Sequence, residues 1–135
     1  LAYPAKERLG HALTEDVCVP RSRLAHMMRF IDRLAAEKDL TICTVAHAGD
    51  GNLHPVFIYD GATPADVPGV VWESAGEIFR EALRVGGTLT GERGVGTLKR
   101  RFLAGELGGV GVDVQRAIKA ALDPKGLLNP SKALA

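Results

Sequence analysis

Residues 41–59 read TICTVAHAGDGNLHPVFIY, two apolar runs joined by a short segment rich in glycine and aspartate. Both runs contain β-branched residues and are apolar on both faces, and the second also contains Phe57 and Tyr59. This composition predicts two strands, residues 41–48 and 53–59, in the middle of a sheet. Residues 49–52 have the composition of a tight hairpin turn. Pro55 is unexpected in a central strand, because proline offers no N–H to a neighbouring strand.

The segments around this hairpin predict an α+β fold. A strand is expected over residues 14–19, and Ser22 can cap a helix whose apolar residues recur at helical spacing. A second amphipathic helix is expected over residues 67–85. The order β-α-β-β-α predicts a ferredoxin-like antiparallel sheet with helices on it. His11 precedes the first strand and is expected to lie in a loop.

A glycine-rich loop and two C-terminal helices are predicted to follow. The first of these helices covers residues 98–107 and is short and charged. Asp113 can cap the second, whose predicted buried face consists of Val114, Ile118 and Leu122.

The composition is that of one globular domain covering residues 1–135. The chain has 17 Lys and Arg against 16 Asp and Glu, a formal net charge of +1, which argues against a general nucleic-acid-binding protein. No apolar run approaches the roughly 20 residues of a membrane-spanning helix. Cys18 and Cys43 are too few for a disulfide framework, and we expect both to be small core residues of a cytoplasmic protein.

Two histidines flank the predicted turn. If the turn centres on Asp50 and Gly51, His47 lies directly opposite His54 on one face of the sheet. Two imidazoles at that separation can share one divalent cation, and apolar neighbours favour neutral, ligating rings. The alternative is a pair of core histidines that form hydrogen bonds with the backbone.

A metal site needs at least one further ligand, and Glu92 is the candidate because glycines beside it allow a close approach. Asp50 is another oxygen donor, although its place in the turn already accounts for it. Two histidines and one carboxylate leave coordination positions open for water or substrate oxygens. Residues 91–96 could equally form a flexible surface loop, or a phosphate-binding loop that lacks the Rossmann and Walker spacings.

Three stretches of the chain together have the form of a family signature: HAGDGNLHP at 47–55, GGTLTGE at 86–92 and LDPKGLLNP at 122–130. They resemble the C-terminal domain of the FAD-linked oxidases, a family that includes glycolate oxidase, D-lactate dehydrogenase and D-2-hydroxyglutarate dehydrogenase. They occur in the family's order, and the resemblance covers the chain from about Leu13 to its end. The proline after the second histidine resembles the glycolate oxidase and D-lactate dehydrogenase branches most.

The resemblance implies an N-terminal flavin-binding domain and a C-terminal α+β domain that binds substrate. It implies that His47, His54 and Glu92 hold a divalent ion, such as zinc, manganese or iron, which binds the carboxylate and hydroxyl oxygens of a 2-hydroxy acid. FAD then accepts hydride from C2, and Asn129 lies near the flavin ring. The family's other domain would hold most of the FAD, so we expect this chain to be inactive by itself.

Arg93 departs from the family pattern, which reads Gly-Glu-His-Gly where this chain has Gly-Glu-Arg-Gly. The family's histidine is the implied general base for the hydroxyl proton, and arginine stays protonated at ordinary pH. Arg93 can instead bind a carboxylate through two hydrogen bonds. Catalysis would then need another base, or a metal-bound water of lowered pKa.

Three functions are therefore considered. The first is the substrate- and metal-binding part of a flavin-dependent 2-hydroxy-acid dehydrogenase. The second is a degenerate module that binds carboxylate or metal without turnover, and the third is a small metallohydrolase. The expected partners of the first are a small 2-hydroxy acid and the FAD-binding domain of the same protein. The resemblance also implies that an upstream segment of the family supplies further strands of the sheet. Without those strands a sheet edge would be exposed, through which two copies can form a homodimer.

Overall fold

In the part of the chain that the structure describes, the fold is α+β, with four strands and three helical elements. The computed structural model describes residues 9–63, 65–132 and 134, so the domain predicted over residues 1–135 extends beyond the described part. The elements in chain order are β1 (His11–Thr14), β2 (Val17–Cys18), α1 (Leu24–Glu37), β3 (Thr41–His47), β4 (Asn52–Tyr59), α2 (Gly69–Arg84) and α3 (Arg100–Leu122). The described residues before Arg93 form one compact unit and those from Arg93 onward another. A single domain over the whole chain stays a prediction.

Strand β4 is the centre of an antiparallel sheet. It pairs with β3 on one side and with β1 and β2 on the other, and all eight of its residues are buried. Most of β3, in contrast, is exposed, and its outer side pairs with no strand in the described part of the chain. The predicted central position is therefore confirmed for β4 and wrong for β3. Cys43, on β3, is exposed rather than in the core, and Cys18 is partly buried.

The strand predicted over residues 14–19 is replaced by two short strands that keep one register against β4. Glu15 and Asp16 lie between them, opposite the part of β4 that contains Pro55. The Glu15 N–H donates to the Pro55 carbonyl at 2.9 Å, but proline has no N–H to complete the pair. The predicted loop position of His11 is wrong, because β1 extends the ladder and pairs His11 with Tyr59.

Helices α1 and α2 contact each other, α1 also contacts β3, and α2 also contacts β2. Their apolar stripes are buried as predicted, with Met27, Ile31 and Leu34 on α1 and Val71, Ala75, Ile78, Phe79 and Ala82 on α2. Ser22 does not cap α1. It lies in a 3-10 turn before the helix, and no side-chain hydrogen bond caps α1.

The second unit contains the two predicted helices, which follow each other directly as the two pieces of α3. Gly108 breaks α3 with φ 67° and ψ 171°, so two helical pieces adjoin without a loop. Asp113 therefore lies inside the second piece, where it pairs with Arg116, rather than capping it. The predicted buried face of this piece is exposed, with 53, 54 and 78% of the surface accessible at Val114, Ile118 and Leu122. None of the described helices is long and apolar enough to cross a membrane.

Glu81 joins the two helices of the first unit. Its carboxylate contacts His26 of α1 and accepts hydrogen bonds from Arg84 Nε and Nη2, both at 2.6 Å. The hydrogen bonds from Arg84 outweigh the effect of burial and, with His26, lower the pKa of Glu81 from 4.5 to about 2. The ionised carboxylate is therefore favoured by folding.

We expect Glu81→Gln to lower the free energy of unfolding by about 1 kcal/mol at neutral pH, because a partly screened ion pair is lost. A carboxyl whose pKa is lowered by folding stabilises the protein above its unfolded pKa, so the difference should be complete above pH 4.5 and shrink as the pH falls toward 2. Urea unfolding across this pH range measures it. Glu37→Gln, at an exposed pair on α1, is the control, and a difference independent of pH would contradict the assignment.

Candidate metal site

The β3–β4 hairpin brings two histidines to one face of the sheet. The predicted direct pairing of His47 with His54 is wrong, because the ladder pairs His47 with Asn52 and His54 with Val45. The turn is centred one residue earlier than predicted, and the amides of Asp50 and the next residue donate to the His47 carbonyl at 3.0 and 3.1 Å. The two histidines are diagonal neighbours instead. Their ring centroids are 5.4 Å apart with the planes at 88°.

Glu92 completes a group of three possible ligands. Its Oε1 lies 3.0 Å from His54 Nε2, and its Oε2 lies 3.9 Å from His47 Nε2. One ligand atom from each of the three residues lies within 4.8 Å of the others. Ligand atoms around a tetrahedral zinc ion are about 3.3 Å apart, which follows from bonds of about 2.0–2.1 Å. The group is therefore close to coordination geometry and needs a small closure around an ion.

The three ligands differ in exposure, so the site is anchored on one side and open on the other. The side chain of His54 is 7% exposed, whereas those of His47 and Glu92 are 53% and 50% exposed. The apolar surroundings inferred for both histidines are therefore wrong for His47, which is exposed, while the buried His54 lies 3.9 Å from the carboxylate of Asp16. An ion held here would keep coordination positions on the open side for water or for a ligand.

The two nitrogens of His54 have different environments. Nδ1 lies 3.3 Å from the carbonyl oxygen of Glu15. A carbonyl oxygen only accepts, so Nδ1 donates, and in the neutral ring the lone pair of Nε2 then faces Glu92. The alternative of a core histidine bonded to the backbone thus describes Nδ1 but not Nε2. Among the described residues no hydrogen bond reaches the buried Nε2, although Glu92 Oε1 lies 3.0 Å away. Both atoms are acceptors in this state, so their approach is favourable only with an ion or a proton between them.

Pro55 explains why the Glu15 carbonyl is available to His54. In an antiparallel pair, the residue that accepts a hydrogen bond from Glu15 normally returns one to the Glu15 carbonyl. That residue is Pro55, which has no N–H. The ring of the neighbouring His54 occupies the position instead, so the unexpected proline fits the orientation of the buried histidine.

Asp16 is a buried residue of this region that is absent from the sequence-based prediction. Its Oδ2 accepts hydrogen bonds from Thr90 Oγ1 at 2.6 Å, Gly91 N at 2.9 Å and Glu92 N at 3.1 Å. Its Oδ1 lies 3.9 Å from His54 Nδ1, and its side chain is fully buried. The signal in the sequence is a pair of acidic residues, Glu15 and Asp16, inside a predicted strand, because a buried charge needs partners.

Contacts with the sheet hold the segment before Glu92, whereas residues 91–96 lie mostly at the surface, and the flexibility of that loop stays a prediction. Thr88 forms a bridge to Cys18 on the outer side of β2, and Leu89 is fully buried. At Gly91, a Cβ atom would lie 2.6 Å from Cγ of the buried Asn52, so only glycine fits. Asp50, the other proposed oxygen donor, stays in the turn and is not part of the ligand group.

Two further predicted site residues belong to the second unit. Arg93 follows Glu92 in the chain and is exposed. Asn129 is also exposed, adopts a positive φ of 46°, and lines an open groove of about 460 Å³ together with residues of α3 such as Ile118 and Lys119. The functional roles of both residues stay predictions.

Comparison with known proteins matches residues 1–133 to the family described as FAD linked oxidases, C-terminal domain. The glycolate oxidase subunit GlcD of Bacillus subtilis is 45% identical over 123 residues, which cover 91% of this chain and 26% of the relative. The GlcD subunit of Escherichia coli K12 is 36% identical over 132 residues, 97% of this chain and 26% of the relative. The mitochondrial D-lactate dehydrogenase (cytochrome) 1 of Saccharomyces cerevisiae is 37% identical over 131 residues, 97% of this chain and 22% of the relative.

The chain thus spans about a quarter of the length of these curated relatives. The family match covers nearly all of its residues, the three motifs included. The observed antiparallel α+β fold agrees with it as well. The chain belongs to the C-terminal domain family of the FAD-linked oxidases.

Proposed function

We propose that this chain is the substrate- and metal-binding C-terminal domain of a cytoplasmic, flavin-dependent oxidoreductase that oxidises a 2-hydroxy acid of the D-lactate or glycolate type. The observation that carries the proposal is that potential ligand atoms of His47, His54 and Glu92 lie close together at a partly exposed position. Its family and its relatives, named as glycolate oxidase subunits and D-lactate dehydrogenases, support the reaction class. FAD is held mainly by a flavin-binding domain of the same protein.

The donor set of the three residues suits zinc, manganese or iron. An ion bound there supplies a Lewis acid for the carboxylate and hydroxyl oxygens of the substrate, and FAD supplies the hydride acceptor. His54 keeps one nitrogen directed into the site because its other nitrogen is bound to the Glu15 carbonyl. His47 and Glu92 form the open side, where a small acid can enter from solvent. Arg93 contributes a permanent positive charge and two parallel donors for a carboxylate.

The alternative proposal is a degenerate module that binds metal or carboxylate without turnover. It is favoured by one observation, the arginine at position 93 where the family pattern has histidine. Arginine cannot accept the hydroxyl proton at ordinary pH, so turnover requires another base. No observation on the described residues favours the metallohydrolase over these two proposals.

We also propose that the chain forms a homodimer through the outer edge of β3. An unpaired edge with exposed Cys43 and Val45 offers a second copy a strand to pair with. Sedimentation velocity under reducing conditions should then show a dimer whose population rises with concentration. Val45→Lys should shift the equilibrium toward monomer, since charged side chains block edge pairing. A monomer at every concentration would contradict this arrangement.

The metal site is tested first by elemental analysis of the purified, untagged 135-residue chain after dialysis against zinc, manganese or iron(II). We expect about one ion per chain, since one set of ligands is present. The double variant His47→Ala/His54→Ala should lose it, because a single carboxylate cannot retain the ion. His11→Ala, which removes a histidine outside the ligand group, is the matched control and should keep the ion. Equal metal content in the chain and its double variant would contradict the site.

The redox function is tested in the full-length protein that the proposal implies. Anaerobic addition of D-lactate or glycolate should bleach the oxidised flavin, and His54→Ala should abolish the effect. If no 2-hydroxy acid reduces the flavin, the enzyme proposal fails.

Changing Arg93 separates the two proposals. If Arg93 binds the substrate carboxylate, Arg93→His should weaken substrate binding by about 10-fold or more, because hydrogen bonds between charged groups contribute about 1.5–3 kcal/mol. If the chain is a degenerate module that lost its base, the same change should instead create or increase flavin reduction. Steady-state kinetics of the full-length protein and its variant measure both.

A further inference from the structure

We infer that Asp16 is a positioning residue that sets the backbone of Glu92 in place for metal coordination before any ion binds. The inference rests on the proposed function, because it assigns a support to the same three ligands. It concerns a residue that lies outside the ligand group and outside the three family motifs.

The first observation is the convergence of three donors on one oxygen. Thr90 Oγ1, Gly91 N and Glu92 N all donate to Asp16 Oδ2, at 2.6, 2.9 and 3.1 Å. Successive donors from three neighbouring residues fix the path of the backbone through Glu92. Because the acceptor is a carboxylate, these hydrogen bonds are stronger than those between neutral groups.

The second observation is the burial of Asp16, which makes its side chain a rigid reference point. It is fully buried, between β1 and β2, where the ladder against β4 is interrupted. A buried carboxylate is costly to retain unless its surroundings satisfy it. Its bonds to the Glu92 segment therefore resist breaking, and that segment resists leaving the sheet.

The third observation is that Asp16 adjoins both halves of the ligand group. Its Oδ1 lies 3.9 Å from Nδ1 of His54, while its Oδ2 holds the Glu92 backbone. Gly91 packs against Asn52, the residue opposite His47 in the ladder. Glu92 then needs to order only its own side chain to reach the two imidazoles. Metal binding avoids the entropy of ordering a loop, which is the benefit of a preorganised site.

Asp16→Asn tests the inference because it keeps the shape of the side chain and removes its charge. We expect about a 10- to 100-fold loss of affinity for Zn²⁺ or Mn²⁺ in the 135-residue chain, the range typical of residues that support metal ligands. Asp66→Asn is a matched control. Asp66 likewise accepts hydrogen bonds from a backbone N–H and a hydroxyl, both of Thr63, but in an exposed turn. Its replacement should leave the affinity unchanged.

A double-mutant cycle separates positioning from a general effect on the fold. If Asp16 acts through Glu92, its replacement should lower metal affinity in the native background but hardly at all in a Glu92→Ala background. The visible absorption of bound Co²⁺ provides a second readout, and it should change in Asp16→Asn because the carboxylate ligand is displaced. The same loss of affinity in both backgrounds, or an unchanged affinity in Asp16→Asn, overturns the inference.

Two further measurements keep the test decisive. If Asp16→Asn does not fold, Thr90→Val removes one of the three donors and leaves the carboxylate intact. It should lower the affinity several-fold, and no change overturns the inference. If the native chain binds no ion, the proposed function fails, and amide hydrogen exchange decides the inference by itself. Slow exchange at Gly91 and Glu92 that becomes fast in Asp16→Asn supports positioning, and exchange that is the same in both chains overturns it.

Discussion

The burial of β4 on both faces and both edges is the constraint on which the first unit depends. Neighbouring strands satisfy its backbone on each side, and its eight side chains are removed from water. Such a strand cannot slide, because a shift of one residue would exchange its two faces. The position of His54 is consequently determined by the strand that contains it. The more exposed His47 and Glu92 are then arranged around a rigid point.

The site lies where the ladder against β4 is imperfect. Pro55 costs the sheet one hydrogen bond, and that loss leaves the Glu15 carbonyl to the ring of His54. The same interruption places Asp16 between two short strands, where its carboxylate reaches the Glu92 segment. One local defect in the sheet thus accounts for the orientation of one ligand and the anchorage of another. Regular pairing would have left neither group available.

Local patterns in the sequence predicted the parts of the fold that depend on neighbouring residues. The hairpin and the buried stripes of α1 and α2 belong here. The approach of Glu92 to His47 and His54 is a distant contact, and its expectation depended on the family resemblance. Features that depend on distant contacts were not predictable. The residues of the turn did not decide between two centres one residue apart. The cross-strand partner of each histidine was therefore uncertain as well. The apolar residues of β3 and the later part of α3 indicated burial, yet periodicity alone does not say whether a partner surface covers them. Asp16 gave only the weak signal of an acidic residue, next to Glu15, inside a predicted strand.

The positions of the three ligands along the chain also bear on the order in which the protein folds. A hairpin closes over a few residues, whereas the contact of Asp16 with Glu92 joins positions 76 residues apart. Short loops lose less entropy on closure and form sooner. His47 and His54 should therefore approach each other early, while Glu92 arrives only when the first strands and the segment after α2 have docked on β4. Tight retention of an ion would then mark molecules that have completed folding, and a chain stalled at the hairpin stage would hold metal weakly.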